Sequence, residues 1–168
     1  MDLLDETTPA GLALRLLAAA VCGMVLGLDR EMRGKAAGLR TLTLVSVSSA
    51  ATTLVAVSLY RTALAAGHGS DMDPTRVIQG LAQAIGFISA GVMFRAGLSV
   101  RGATTAAMIW MAGALGIACG AGFFTIAGIT LVLTLLVTVV LTRVERHFFP
   151  PDSRDADQER PDTPNRLR

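Results

Sequence analysis

The sequence predicts an all-α fold: a polytopic transmembrane bundle of about five helices. Three observations carry that expectation. Of 168 residues, 52% are hydrophobic and 17% charged, with a mean hydropathy of +0.54. The charges are clustered, so that Thr41 to Tyr60, Val77 to Phe94 and Gly102 to Thr142 contain none. Uncharged apolar runs of about 18 residues or more match the thickness of a bilayer and not the surface of a soluble globule. The third run is too long for one crossing and holds the glycine-rich "GIACGAGF" (Gly116 to Phe123), a natural break.

The elements follow in order. The first helix runs from Gly11 to Leu28, with Arg15 near its start, where a long side chain can reach the interface. The second spans Leu42 to Tyr60, the third Val77 to Phe94, the fourth Thr104 to Cys119 and the fifth Phe123 to Thr142. Residues 1–10 form an acidic periplasmic segment, 11–147 the transmembrane domain, and 148–168 a cytoplasmic tail. The tail has four of the six prolines and almost nothing to bury, so disorder is expected.

Orientation follows from the basic residues. The first loop, the third loop and the C-terminal segment together carry twelve Lys or Arg residues, against two in the opposite set. The N-terminus is expected outside and the C-terminus in the cytoplasm. The absence of a basic N-terminal region argues against a cleaved signal peptide.

Packing in lipid depends on small residues and interhelical hydrogen bonds. The first helix has Gly23 and Gly27, the third Gly80, Gly86 and Gly91, and the fourth Ala112, Gly116 and Gly120. Helices one, three and four are therefore expected at the tight centre, with the bulky fifth facing lipid. Gln79 and Gln83 lie four apart, and Ser46, Ser49 and Thr53 share a face. The glutamines are expected to point inward, since amides are costly in lipid. The pattern fits a polar pathway between helices two and three, or hydroxyls bonded to their own helix. Trp110, mid-helix, is expected to be a packing anchor with its indole N–H bonded inside the bundle.

The charges of the first loop, "GLDREMRGKAAGLRT" (Gly27 to Thr41), have helical spacing. Asp29 with Arg33, and Glu31 with Lys35, stand at i, i+4 if the helix reaches Gly34. Gly38 is placed for a tight turn, and Thr104 or Thr105 for capping the fourth helix. Arg40 and Arg101 sit at helix starts, where the backbone dipole disfavours a cation, so Asp29 and Glu31 are expected to offset them. Adding Arg30, Arg33, Lys35 and Arg95 makes six cations against two acids. That field suits anionic lipid headgroups, a phosphate or an acidic partner, whereas a hard divalent cation wants excess negative charge. No metal site, cofactor, nucleic-acid surface or catalytic set is expected. Cys22 and Cys119 are expected to be small hydrophobes inside the bundle.

"LGLDREMRGKAAGLRTLTLV", "DPTRVIQGLAQAIGFISAGVMFR" and "VRGATTAAMIWMAGALGIACGAG", in that order, resemble the membrane domain of the MgtC/SapB family. The resemblance covers Leu14 to Val140. Its motif positions here are Gly27, Arg30, Glu31, Gly34, Gly38, Leu39, Arg40 and Thr41; then Asp73, Pro74, Arg76, Gly86, Phe87, Gly91 and Arg95; then Arg101, Gly102, Thr104, Thr105, Ala106, Trp110 and Gly116. Asp29 stands where the family usually has Glu, and Leu42 where it has His. "QAIGFISAG" replaces "SGIGFLGAG", bringing Gln83, Ala84 and Ser89. No counterpart of the C-terminal soluble domain of some members is expected.

What the resemblance implies is a bacterial inner-membrane protein linked to growth in low magnesium and, in pathogens, to survival inside phagocytes. It also implies action by binding other membrane proteins. The leading expectation is a membrane-embedded regulator or interaction protein, with anionic lipids, inner-membrane proteins or a second copy as partners. The alternative is a small transporter of Mg²⁺, protons or an anion.

Overall fold

The computed structural model describes residues 8–67, 73–96 and 99–148. Among them are five helices: α1 (Pro9–Met32), α2 (Leu39–Ala65), α3 (Thr75–Gly91), α4 (Ala103–Gly120) and α5 (Phe124–Phe148). Between α3 and α4 lies an antiparallel pair of short strands, β1 (Phe94–Ala96) and β2 (Ser99–Arg101), with Arg95 opposite Val100. The expectations for the segment before Thr8 and the tail beyond Phe148 lie outside the described residues.

Each helix end has a local cause. Thr8 accepts a hydrogen bond from the Gly11 N–H at 3.1 Å, and Pro9 opens α1 where its missing N–H costs nothing. α1 stops at Met32 because Gly34 turns left-handed, at φ +62°. α4 begins after Gly102, at φ +86°, where a Cβ would also run into the Val92 carbonyl. The predicted break after α4 is made at Gly122, φ +85°.

Four helices, α1, α2, α4 and α5, are long and apolar enough to cross a membrane. α3 has 17 residues, or about 25 Å of helix at about 1.5 Å per residue, short of the ~30 Å hydrocarbon thickness.

The chain divides into two compact units, 1–132 and 133–168. In the first, α1 and α2 form an antiparallel hairpin whose backbones meet at glycines. A Cβ on Gly23 would stand 2.7 Å from Thr43 Cα, and one on Gly27 would strike Leu39 Cα at 2.6 Å. α4 lies parallel to α2 and is equally close: Gly116 faces the Ser46 carbonyl and Gly120 the Ala50 backbone. Leu26, Leu42, Ile109 and Leu115 are fully buried there. Close approach of this kind supplies the dispersion contacts that hold helices together in lipid.

The tight centre is thus α1, α2 and α4, and not the expected one, three and four. α3 packs along α4, with Ile85 against Gly113, and a Cβ on Gly86 would stand 3.5 Å from the Trp110 ring. A Cβ on Gly80 or Gly91 would meet nothing within 4 Å among the described residues, so these two do not serve the packing expected of them. Glycine spacing marks where backbones can approach, but the facing helix has to be small as well. On α2, Ser46, Ser49 and Ala50 meet that requirement.

The second unit is the later part of α5. Leu133, Leu136, Val137, Val140 and Leu141 are exposed, the outward apolar surface expected of this helix. Thr138 and Thr142 donate to the carbonyls one turn back, at 2.7 and 2.6 Å, which hides their hydroxyls from an apolar surrounding.

Candidate functional site

The charged stretch after α1 folds back on itself, and its centre is Arg30. This side chain is 3% exposed. Its Nε donates to the Ala36 and Ala37 carbonyls at 3.1 and 3.2 Å. Its Nη2 donates to the Ala36 carbonyl and to Thr105 Oγ1, the latter at 2.6 Å. One guanidinium therefore joins the end of α1, the connection to α2 and the first turn of α4. Only a planar fork of donors does this from one position. The position also suits a cation, since Arg30 lies in the last turn of α1, the negative end of its dipole.

The carbonyls reach Arg30 because Ala37 adopts a left-handed φ of +54°, a conformation that costs a non-glycine residue about 1–2 kcal/mol. Nothing in the sequence marked Ala36 and Ala37, which act through backbone and not through side chains.

The carboxylates have separate tasks. Asp29 Oδ1 accepts from Arg33 Nε at 3.0 Å and Nη2 at 2.8 Å, as the i, i+4 spacing predicted. Glu31 does not pair with Lys35, because α1 ends at Met32 and Lys35 leaves the helical register. Glu31 Oε2 instead accepts from the Leu39 N–H at 3.1 Å and so caps α2. A carboxylate there meets the positive end of the helix. Gly38 is not a left-handed turn residue, with φ −89°. Its smallness makes room for the Glu31 carboxylate, which a Cβ would strike.

Other predicted members are placed differently. Arg40 and Lys35 are exposed, and Thr41 is exposed on the first turn of α2. Neither Arg40 nor Arg101 offsets Asp29 or Glu31. Arg101 is half-buried on β2, and the Arg95 side chain lies outside the description. Thr104 is exposed, and α4 has no side-chain cap; Thr105 receives Arg30 instead. Asp73 closes the first turn of α3, accepting from the Thr75 N–H at 2.9 Å and its hydroxyl at 2.6 Å. Those bonds hold its carboxyl below the usual range. Arg76 is exposed beside it.

The polar stripe separates into two unlike halves. Ser46, Ser49 and Thr53 are buried together between α2 and its neighbours. Ser46 Oγ donates to the Ala19 carbonyl of α1 at 2.7 Å, Ser49 to Val45 and Thr53 to Ser49, each at 2.8 Å. Gln79 and Gln83, expected inside, are exposed on the far side of α3. The reason is register: the face of α3 that meets α4 is that of Ile85 and Ser89. No shared path joins the two sets.

Trp110 is 43% exposed, and its indole has no hydrogen bond among the described residues. It forms one wall of an apolar groove of about 260 Å³ with Ile78, Ala82, Ile85, Ala114 and Ile117. Leu42, where a titratable His was expected from the family pattern, is fully buried.

Two further features are set by tertiary contact. One is Arg15. It is buried and donates from Nη1 to the Gly120 carbonyl at 3.0 Å, covering the turn after α4. Cys22 and Cys119 meet, with their sulfurs 4.0 Å apart.

The sequence profile of the MgtC family matches residues 16–147. Protein MgtC of Brucella abortus is 40% identical over 126 residues, which is 75% of this chain and 49% of that protein. SapB of Bacillus subtilis is 38% identical over 150 residues, 86% of this chain and 62% of that protein. YhiD of Escherichia coli K12, provisionally named a magnesium transporter, is 38% identical over 125 residues, 74% of this chain and 57% of that protein. The chain spans about half the length of the Brucella relative. No solved structure matches it. With its long apolar helices, the chain is a multi-pass membrane protein and belongs to the MgtC family.

Proposed function

We propose that this protein is an inner-membrane regulator or interaction protein in bacterial magnesium physiology, and not itself a conduit. One contrast carries the reading. Inside the bundle, Ser46, Ser49, Thr53 and Arg30 are engaged by the protein's own backbone and by Thr105. Gln79, Gln83, Lys35 and Arg40 face outward and make no hydrogen bond among the described residues. Polar groups engaged inside rigidify a scaffold; unengaged amides on an outer helix face present donors and acceptors to a neighbour.

In this reading the charged junction faces the cytoplasm, on the side favoured by the excess of basic residues. The link to magnesium is supported by the name given to YhiD of Escherichia coli K12. The exposed basic rim suits acidic lipids or an acidic partner surface.

The test is reconstitution. Purified protein in liposomes is expected to give no flux of Mg²⁺, protons or small anions above empty vesicles. Saturable flux that is lost on substituting Ser46 or Ser49 would overturn the reading in favour of transport.

A further inference from the structure

Cys22 and Cys119 are the two cysteines of the chain, and 97 positions separate them. Cys22 lies on α1 and Cys119 at the end of α4; both are buried, at 8% and 1% exposure. Their sulfurs stand 4.0 Å apart, one thiol within donating distance of the other.

We propose that Cys22 and Cys119 are a dithiol–disulfide site that, when oxidised, locks α1 to α4. The sulfurs have to close from 4.0 Å to about 2.05 Å. Burial makes the pairing intramolecular, because neither sulfur is open to a cysteine of another molecule. Burial in an apolar bundle also selects an oxidant that dissolves in lipid, of the quinone class. Two S–H bonds break and one S–S bond forms. The two protons and two electrons pass to the quinone oxygens, giving one hydroquinone.

The location gives the bond a consequence. α1 and α4 touch toward both ends of α4: Arg15 at the Gly120 carbonyl with the two thiols beside it, and Arg30 at Thr105. A covalent link at the Cys119 end fixes the spacing of the same two helices that Arg30 joins at the other end. It also closes a loop that contains α2 and α3, which restricts the unfolded chain.

The experiment uses the full chain in membranes, treated with a tetramethyl-substituted benzoquinone, whose ring is blocked against thiol addition. A parallel sample receives copper(II)–phenanthroline, in which two Cu(II) take the two electrons. After denaturation, free thiols are counted by the gel shift from a maleimide-linked polymer. The untreated chain is expected to take up two polymers and the oxidised chain none, while still running as a monomer. Reductant restores both. Cys22→Ser and Cys119→Ser are each expected to take up one polymer before and after oxidation; Cys→Ala variants serve if serine prevents folding. Two polymers on the chain after both oxidants, or disulfide-linked dimers, would overturn the proposal.

Discussion

Arg30 Nη2 donates to Thr105 Oγ1 at 2.6 Å, joining residues 75 positions apart. The same guanidinium holds the Ala36 and Ala37 carbonyls, so one side chain fixes how α1 passes into α2 and where α4 begins. Arg30→Lys keeps the charge but loses the fork. It is expected to destabilise the protein by about 1.5–3 kcal/mol, the scale of buried hydrogen bonds to a charged group. Arg33→Ala, which breaks the partly exposed pair with Asp29, is expected to cost less than about 1 kcal/mol. Denaturation in detergent, read by circular dichroism, measures both. Equal losses would show that Arg30 is an ordinary surface cation.

Glu31 and Gly38 form one device, and a double-mutant cycle exposes it. Glu31→Ala is expected to cost about 1 kcal/mol through loss of the α2 cap. Gly38→Ala displaces the same carboxylate and is expected to cost a similar amount. In the Glu31→Ala background, Gly38→Ala then adds little. Additive losses would place the Gly38 constraint elsewhere.

The glycines of α4 and α3 are expected to respond oppositely. Gly116→Ala drives a methyl into the Ser46 backbone, which cannot move as a side-chain tip can. The expected loss is about 1–3 kcal/mol or more. Gly80→Ala meets nothing within 4 Å and is expected to be neutral or to gain up to about 1 kcal/mol from helix propensity. Thermal unfolding of the two variants decides the matter; a large loss at Gly80 would mean that α3 packs more tightly than this account holds.

Asp73 gives the fold a pH dependence with a defined sign. Its carboxyl is lowered by the Thr75 bonds, so its stabilising effect is present above the ordinary carboxylate range. The effect is lost as pH falls through the depressed value. Protection of the Thr75 amide, relative to its intrinsic exchange rate, is expected to fall at acid pH in the native chain. Asp73→Asn, which keeps an acceptor but does not titrate, is expected to flatten that profile. An unchanged acid profile in the variant would remove Asp73 as the cause.

The bundle was legible in the sequence because bilayer thickness imposes long uncharged runs, and Gly122 turns where "GIACGAGF" predicted a break. The Asp29–Arg33 pair was legible because it needs only helical spacing. The centre was not: both α3 (Gly80, Gly86, Gly91) and α4 (Ala112, Gly116, Gly120) carry small residues that allow close approach, and which of them are used depends on the helix that faces them. The glutamines were misplaced for a related reason. The register of α3 turns Ile85 and Ser89 toward α4 and leaves Gln79 and Gln83 on the opposite side. Arg30 was one of six cations in the first and third loops and became central only when the Ala36 and Ala37 carbonyls, invisible as side chains, turned toward it.

That outward amide face is where the functional account is most exposed to test. A photoreactive residue placed at Gln83, in the full chain in native membranes, samples what covers α3. A discrete adduct with a different membrane protein is expected, absent when the same residue replaces the exposed Leu136 of α5. Adducts confined to lipid or to a second copy of this chain would contradict it.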